Sequence, residues 1–435
     1  MMQLILLLLM LIKQVSSDFT VLLDAGSTGT RVYVYSYDKE QPFHSINEIA
    51  RKRSTFPLSS FVNNTIGLSE QITSLIQFAK TKVPFQEWSN TNISLKATAG
   101  LRSLSDESQI WLISQTASIL ANSDFLFYPS DTKVISGEEE ALYDFLAITI
   151  LLQKSNNDNI KICGNCTIGA ADLGGSSQQI AFAFHPKREN SIIDDHIDTN
   201  TVCSPDWLLG SNEILAKSLK RRGLIAAMDD VVSRFYENSC INSNNSSNTD
   251  STSNSCNNIY EMYHPCLPPG STDYYENSNV EPLNGLGDFD KCLELVRKTL
   301  LADTYFNPKC LHNHANHPYM IIGMDNYPKV LEILKLTDNG VLSPQEIAMA
   351  GRMACKRTWT DLLSDFPGFK PYRAQRACFG ATYVYLMLTD VYGLNPNDKA
   401  FMAIENLGNM ELSWTLGAAI IGTSANLVPT YLGEV

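Results

Sequence analysis

The chain alternates between two hydrophobic rhythms. From Phe19 to Tyr37, "FTVLLDAGSTGTRVYVYSY", apolar runs flank a short polar break, and Tyr33, Tyr35 and Tyr37 alternate with Val32, Val34 and Ser36. A period of two belongs to strands, so this stretch reads as two strands around a turn. "EQITSLIQFAKTKV" and "ESQIWLISQTASILANS" place apolar residues at helical intervals, and "ISLKATAG" is a strand ending in a loop. "SGEEEALYDFLAITILLQ" opens on carboxylates and continues as an apolar helix, with Ser136 and Glu139 spaced as a capping box. "FDKCLELVRKTLL", "YPKVLEILKL", "SPQEIAMAGRMACKRTWTDLL" and "ACFGATYVYLMLTDVYG" read as helices, and "MELSWTLGAAIIG" starts in a loop and becomes helix or strand. Alternating strands and helices predict an α/β architecture. A length of 435 residues is too great for one ordinary core and predicts two domains.

The first pattern returns. "GAADLGGSSQQIAFAF", Gly169 to Phe184, again runs from a strand to an aspartate, then glycines and hydroxyls, then an alternating strand. Asp24 precedes Gly26, Ser27, Thr28, Gly29 and Thr30; Asp172, 148 residues later, precedes Gly174, Gly175, Ser176, Ser177 and Gln179. Two unrelated hairpins could share such turn residues, but the paired occurrence reads as an internal duplication. Glycines let backbone approach a ligand closely, and successive N–H groups form a concave nest for anions. An aspartate at the root of such a nest repels phosphate unless it holds a cation, usually through water for Mg²⁺. Two such loops facing each other would grip a polyphosphate and its metal.

Where the rhythm breaks, the composition matters. Residues 241–258, "INSNNSSNTDSTSNSCNN", are polar and of low complexity, and read as a surface insertion. Leu4 to Ile12 is apolar but too short for a bilayer, and Val15, Ser16 and Ser17 resemble a signal-peptidase site, so residues 1–17 are expected to be removed. The C-terminal stretch is too short and polar for an anchor, and no retrieval tetrapeptide such as KDEL ends it. The expected mature protein is secreted, with no membrane anchor. Ten cysteines and sequons at Asn63, Asn92, Asn165, Asn244 and Asn245 fit that compartment. "CGNC" at Cys163 to Cys166 lacks a second pair at zinc-like spacing. The formal charge of −13 opposes nucleic-acid or anionic-membrane binding and calls for a cation beside any anionic substrate.

Five stretches, "LLDAGSTGTRVYVY", "KATAGLRSL", "SGEEEALYDF", "ADLGGSSQQIAF" and "SWTLGA", stand in the order of the apyrase signature regions, and "HPCLPPGS", "LGDFDKCLELV" and "ACFGATYVYLML" fit between the fourth and fifth. The chain resembles the nucleoside triphosphate diphosphohydrolases, or ecto-apyrases, over nearly its whole mature length. The resemblance implies the actin-like fold: two RNase H-like domains, residues 18–136 with 405–435 and residues 137–404, around a nucleotide cleft. It implies hydrolysis of terminal phosphates of nucleoside tri- and diphosphates with Ca²⁺ or Mg²⁺.

The resemblance also assigns roles. The base falls on Glu140, beside Ala141, while Glu138 and Glu139 suit an acidic first helical turn. Ser177 and Gln179 would position the attacking water, with Thr98 near the transferred phosphate. Asp24 and Asp172 would organise the cation through its waters. Ser27, Thr28, Gly29, Thr30, Arg31, Gly174, Gly175 and Ser176 would line the phosphate nests. Tyr327 and Arg373 align with a pair that stacks on the nucleobase in cell-surface relatives; a surface Tyr and Arg is the plain alternative. Arg102 is expected to support structure and Trp414 to pack between elements. Gly29 and Arg31 match the diphosphatase-leaning and plant branches. Family cysteine pairs fit Cys355 with Cys378, Cys240 with Cys292 and Cys266 with Cys310; Cys163, Cys166, Cys203 and Cys256 receive no partner. A secretory-pathway diphosphatase for GDP or UDP, a nucleotide-binding module without turnover and a phosphotransferase are the rival readings.

Overall fold

The structure is a computed structural model that describes residues 18–154, 167–184, 213–244, 263–271, 283–301, 319–336, 340–367, 371–407 and 410–423. Strands β1 (Asp18–Gly26) and β2 (Gly29–Tyr37) pair antiparallel with Gly26 opposite Gly29, so Ser27 and Thr28 alone make the turn. Val21, Leu23, Val32 and Val34 are buried in a core shared with helices α1 (Thr65–Lys80) and α3 (Asp106–Ala121). The tyrosines on β2 face a different layer. Tyr33 and Tyr35 stack, and their hydroxyls meet Glu411 and Thr415.

The first sheet adds β3 (Asn47–Arg53), β4 (Asn92–Ala97) and β5 (Thr132–Val134) in the order β3-β2-β1-β4-β5. A short helix α2 (Ala99–Arg102) follows β4, and α4 (Gly137–Lys154) follows β5. The second sheet contains β6 (Thr167–Leu173), β7 (Ser177–Phe184) and β8 (Glu213–Lys220); helix α5 (Leu224–Asn244) comes next. A two-stranded ladder, β9 (Tyr263–His264) and β10 (Asn284–Gly285), precedes α6 (Phe289–Val296). Then come β11 (Tyr319–Asp325), α7 (Asn326–Ile333), α8 (Pro344–Cys355), α9 (Trp359–Asp365), α10 (Ala377–Leu386) and β12 (Phe401–Ala403). The chain closes on a small ladder and α11 (Trp414–Thr423).

The second sheet runs β12-β11-β6-β7-β8. Counted from its hairpin strand, that is the order of the first sheet. In both, the first strand is parallel to the fourth and the fourth to the fifth. The duplication read from the two glycine loops is therefore a duplication of whole sheets, the RNase H-like arrangement on each side.

The chain forms two compact units. Of the described residues, the first holds 18–154, 179–184, 213–218, 405–407 and 410–423; the second holds the rest. Helix α4 joins the first unit, beyond the boundary expected at residue 136. The reason is contact with α11. A Cβ on Gly417 would overlap the Tyr143 carbonyl, so the two helices cross closely, and Trp414 stacks on Tyr143 with centroids 6.4 Å apart. Trp414 packs between elements as expected, 5% exposed. Ser136 and Glu139 form the expected reciprocal cap of α4. Among the described residues, no helix is long and apolar enough to cross a membrane.

Cys355 bonds Cys378, as the resemblance implies. Cys266 bonds Cys292, which corrects both other pairings, Cys240 with Cys292 and Cys266 with Cys310. The physical reason is placement: Cys266 follows β9, Cys292 lies on α6, and both are wholly buried. Cys163, Cys166, Cys203, Cys256 and Cys310 lie outside the described residues, as do residues 1–17. Of the polar insertion at 241–258, the first residues continue α5 and the rest lies outside.

Candidate active site

In the first unit, the hairpin turn rests on α2. A Cβ on Gly100 would stand 2.8 Å from the Ser27 Cα, and the Thr98 amide donates to the Ala25 carbonyl at 3.2 Å. Thr98 is thereby brought to the first glycine loop. Gly29 has φ 153°, a conformation L side chains avoid, and a Cβ there would meet Arg53 Nε at 3.0 Å. Arg53 donates to the Thr28 carbonyl at 2.7 Å and to its hydroxyl at 3.1 Å, bracing the tip. Ser27 and Thr28 are half-buried at that tip.

Two expected phosphate ligands have partners within the first unit. Thr30 is wholly buried; its amide donates to Ser54 Oγ at 3.2 Å and its hydroxyl accepts from Gln71 at 3.3 Å. Those contacts tie Thr30 to the fold around the turn. Arg31 stands opposite Asp24 across the ladder and donates to its carboxylate at 3.0 Å. Arg31 therefore balances the buried Asp24, which is 3% exposed.

The three consecutive glutamates of α4 do three different things. Glu138 Oε1 accepts from the Ser218 amide at 3.3 Å. Glu139 caps the helix and accepts from Lys133 at 2.8 Å; burial pushes its carboxyl up, but Lys133 and the Ser136 amide outweigh that and hold it low. Glu140, 6% exposed, accepts from Arg102 Nη2 at 2.8 Å. Arg102 also donates to the Ile135 carbonyl at 2.9 Å, so its fork fixes the Glu140 carboxylate to the backbone just before α4. Gln179, 1% exposed, donates from Nε2 to Ser218 Oγ at 3.1 Å. The first turn of α4 thus carries Glu140 directly and Gln179 through Ser218.

In the second unit, the glycine loop rests on the start of α5. Gly174 accepts from the Leu224 amide at 2.9 Å, and Gly175 accepts from Ile225 at 3.0 Å and Ala226 at 3.1 Å. In a trans peptide the next N–H points the other way, so the amides of Gly175 and Ser176 turn away from α5. A Cβ on Gly223 would overlap the Gly175–Ser176 peptide. Gly223 therefore supports the second loop as Gly100 supports the first. Asp172, 7% exposed, is the last-but-one residue of β6, and the carbonyl of the final residue, Leu173, accepts from Asn326 at 2.7 Å. Ser177, at the start of β7, is 4% exposed.

Alternation on β7 puts Ser177 and Gln179 on one face and Gln178 on the other. Gln178 is fully buried, and its Nε2 meets the hydroxyls of Tyr327 and Tyr392. Tyr327 is 0% exposed and its ring packs on Phe401 at 5.3 Å, while burial pushes its phenol well above the ordinary range. The Tyr327 ring, expected at the nucleobase, thus has both its hydroxyl and its edge engaged inside the second unit. Arg373 is half-buried on the one-turn helix Pro371–Gln375.

Sequence reasoning missed Ser218, Gly223 and Arg53. Ser218 sits outside all five signature stretches, so only the fold reveals it. Among the described residues, no three His, Cys, Asp or Glu side chains converge into a cage. Asp24 on the first hairpin and Asp172 on the second are each, taken separately, a hard oxygen donor of the kind that suits a water-retaining cation.

The profile of the GDA1/CD39 (nucleoside phosphatase) family matches residues 10–430. The chain belongs to that family. A probable apyrase 3 of Arabidopsis thaliana is 27% identical over 93% of this chain and 82% of its own length. The Golgi apyrase of Saccharomyces cerevisiae is 26% identical over 96% of this chain and 72% of its own. The nucleoside-diphosphatase uda-1 of Caenorhabditis elegans is 24% identical over 92% and 81%. A nucleoside triphosphate hydrolase structure from Neospora caninum superimposes with a TM-score of 0.64 at 14% identity, covering 94% of this chain and 93% of that one. A Ppx/GppA family structure from Aquifex aeolicus gives 0.53 at 11% identity, covering 95% and 100%. These likenesses establish the two-domain actin-like fold, and the family establishes nucleoside phosphatase chemistry.

Proposed function

We propose that this chain is a secreted, divalent-cation-dependent apyrase that removes terminal phosphates from nucleoside tri- and diphosphates. One observation carries the reading: the first turn of α4 presents the buried Glu140 carboxylate, fixed by Arg102, and holds the Gln179 amide through Ser218. A carboxylate held by an anchored guanidinium keeps a fixed orientation, which is what a general base needs. Water is oriented by Gln179 and Ser177 and gives its proton to Glu140. Its oxygen attacks the terminal phosphorus, and the P–O bond to the shortened nucleotide breaks. Thr98, the turn Ser27–Thr28 and the amides of Gly175 and Ser176 receive the phosphoryl oxygens. Ca²⁺ or Mg²⁺, held through water by Asp24 and Asp172, supplies charge neutralisation when bound. Arg373 is a candidate at the nucleobase.

A second reading, a secretory-pathway diphosphatase for GDP or UDP, is favoured by Gly29 and Arg31 in the first loop. A phosphate-release panel over ATP, ADP, GDP and UDP with each cation separates the two. Release from both tri- and diphosphates supports the apyrase. Release from diphosphates alone supports the second reading. Binding of nucleotide without release from any of the four overturns both.

A further inference from the structure

We propose that Ser218, on β8, is the positioning residue for Gln179, and that Gly137 lacks a side chain to admit it. The inference rests on the reading that Gln179 orients the attacking water. Gln179 Nε2 lies 3.1 Å from Ser218 Oγ, and the Ser218 amide donates to Glu138 Oε1 at 3.3 Å. A Cβ on Gly137 would overlap both Oγ and Cβ of Ser218. Serine 218 therefore occupies the space that any other residue at 137 would fill, and its backbone is tied to the next residue of α4. A hydroxyl can donate as well as accept, so the contact holds the end of the Gln179 side chain with either amide orientation. A glutamine has three rotatable bonds, and losing the Ser218 contact loosens the placement of its end. Water orientation depends on sub-ångström placement, so losing the anchor slows turnover without weakening nucleotide binding. The arrangement also gives Glu138 a task separate from the helix dipole: it sets Ser218 as Arg102 sets Glu140.

The test is a double-mutant cycle on the full-length enzyme, with ATP and Ca²⁺, reading kcat and KM by phosphate release. Ser218→Ala is expected to lower kcat roughly tenfold, the worth of one anchoring hydrogen bond, with KM within about twofold. In a Gln179→Ala background, Ser218→Ala is expected to add nothing, because the group it holds is gone. Gly137→Ala displaces the same hydroxyl from the other side and is expected to give the same loss with the same cycle. If Gln179→Ala is impaired while Ser218→Ala turns over at the wild-type rate, or its loss adds in full on Gln179→Ala, the positioning role is overturned and the reading of Gln179 stands. If Gln179→Ala itself keeps the wild-type kcat, the reading of Gln179 fails and the role of Ser218 fails with it.

Discussion

Replacing Arg102 by lysine isolates the anchor of the proposed base. Arg102 spans two acceptors, Glu140 Oε2 at 2.8 Å and the Ile135 carbonyl at 2.9 Å. A lysine ammonium is a single point on a flexible stem and cannot reproduce that planar fork. The variant keeps the positive charge but loses one of the two contacts. A hydrogen bond to a charged group is worth about 1.5–3 kcal/mol, and each 1.36 kcal/mol is about tenfold in rate. Side-chain exposure of 18% for Arg102 and 7% for Glu140 places the loss near the lower end, so roughly tenfold is expected in kcat. KM should change little, because Arg102 holds the base and not the nucleotide. Phosphate release under saturating nucleotide measures it, with the thermal midpoint as a check on folding. A folded Arg102→Lys enzyme with the wild-type kcat would refute the argument that this fork places Glu140.

Two other outcomes follow from the same structure. His264 is wholly buried, its Nδ1 accepts from the Cys266 amide at 3.2 Å, and burial lowers its pKa to about 4. The unfolded chain protonates this imidazole below about 6.5 while the fold keeps it neutral, so stability is lost as pH falls from about 6.5 to about 4. Between pH 7 and pH 4.5 the loss is roughly 2 to 3 kcal/mol, and His264→Asn, which keeps an acceptor without titrating there, should flatten that slope in urea unfolding; equal slopes would count against it. Chelator is expected to abolish phosphate release and added Ca²⁺ or Mg²⁺ to restore it, because a −13 chain has little charge to set against a polyphosphate; undiminished release in chelator would remove the cation role from Asp24 and Asp172.

Local signals were legible from the residues alone. The alternation at Tyr33 to Tyr37 gives β2, the Ser136/Glu139 spacing gives the start of α4, and the two glycine loops give the duplication that the sheet orders repeat. What escaped depends on long-range packing. The aligned stretch makes Tyr327 a nucleobase candidate, yet its ring is buried and its hydroxyl meets Gln178, 149 residues away in sequence. Thr30 shares the composition of a phosphate loop but faces Ser54 and Gln71. Cysteine spacing does not determine pairing, so Cys266 with Cys292 required the fold. Ser218 carries no local mark, since a serine in a strand is ordinary until Gly137 and Gln179 converge on it.

The most direct measurement is turnover of Glu140→Gln alongside nucleotide binding by the same protein. The substitution keeps the side chain's shape and removes the basic oxygen. A general base contributes about 10²–10⁴-fold, so phosphate release is expected to fall at least about a hundredfold while a fluorescent nucleotide still binds. Turnover at the wild-type rate in the folded variant would contradict Glu140 as the group that takes the proton from water.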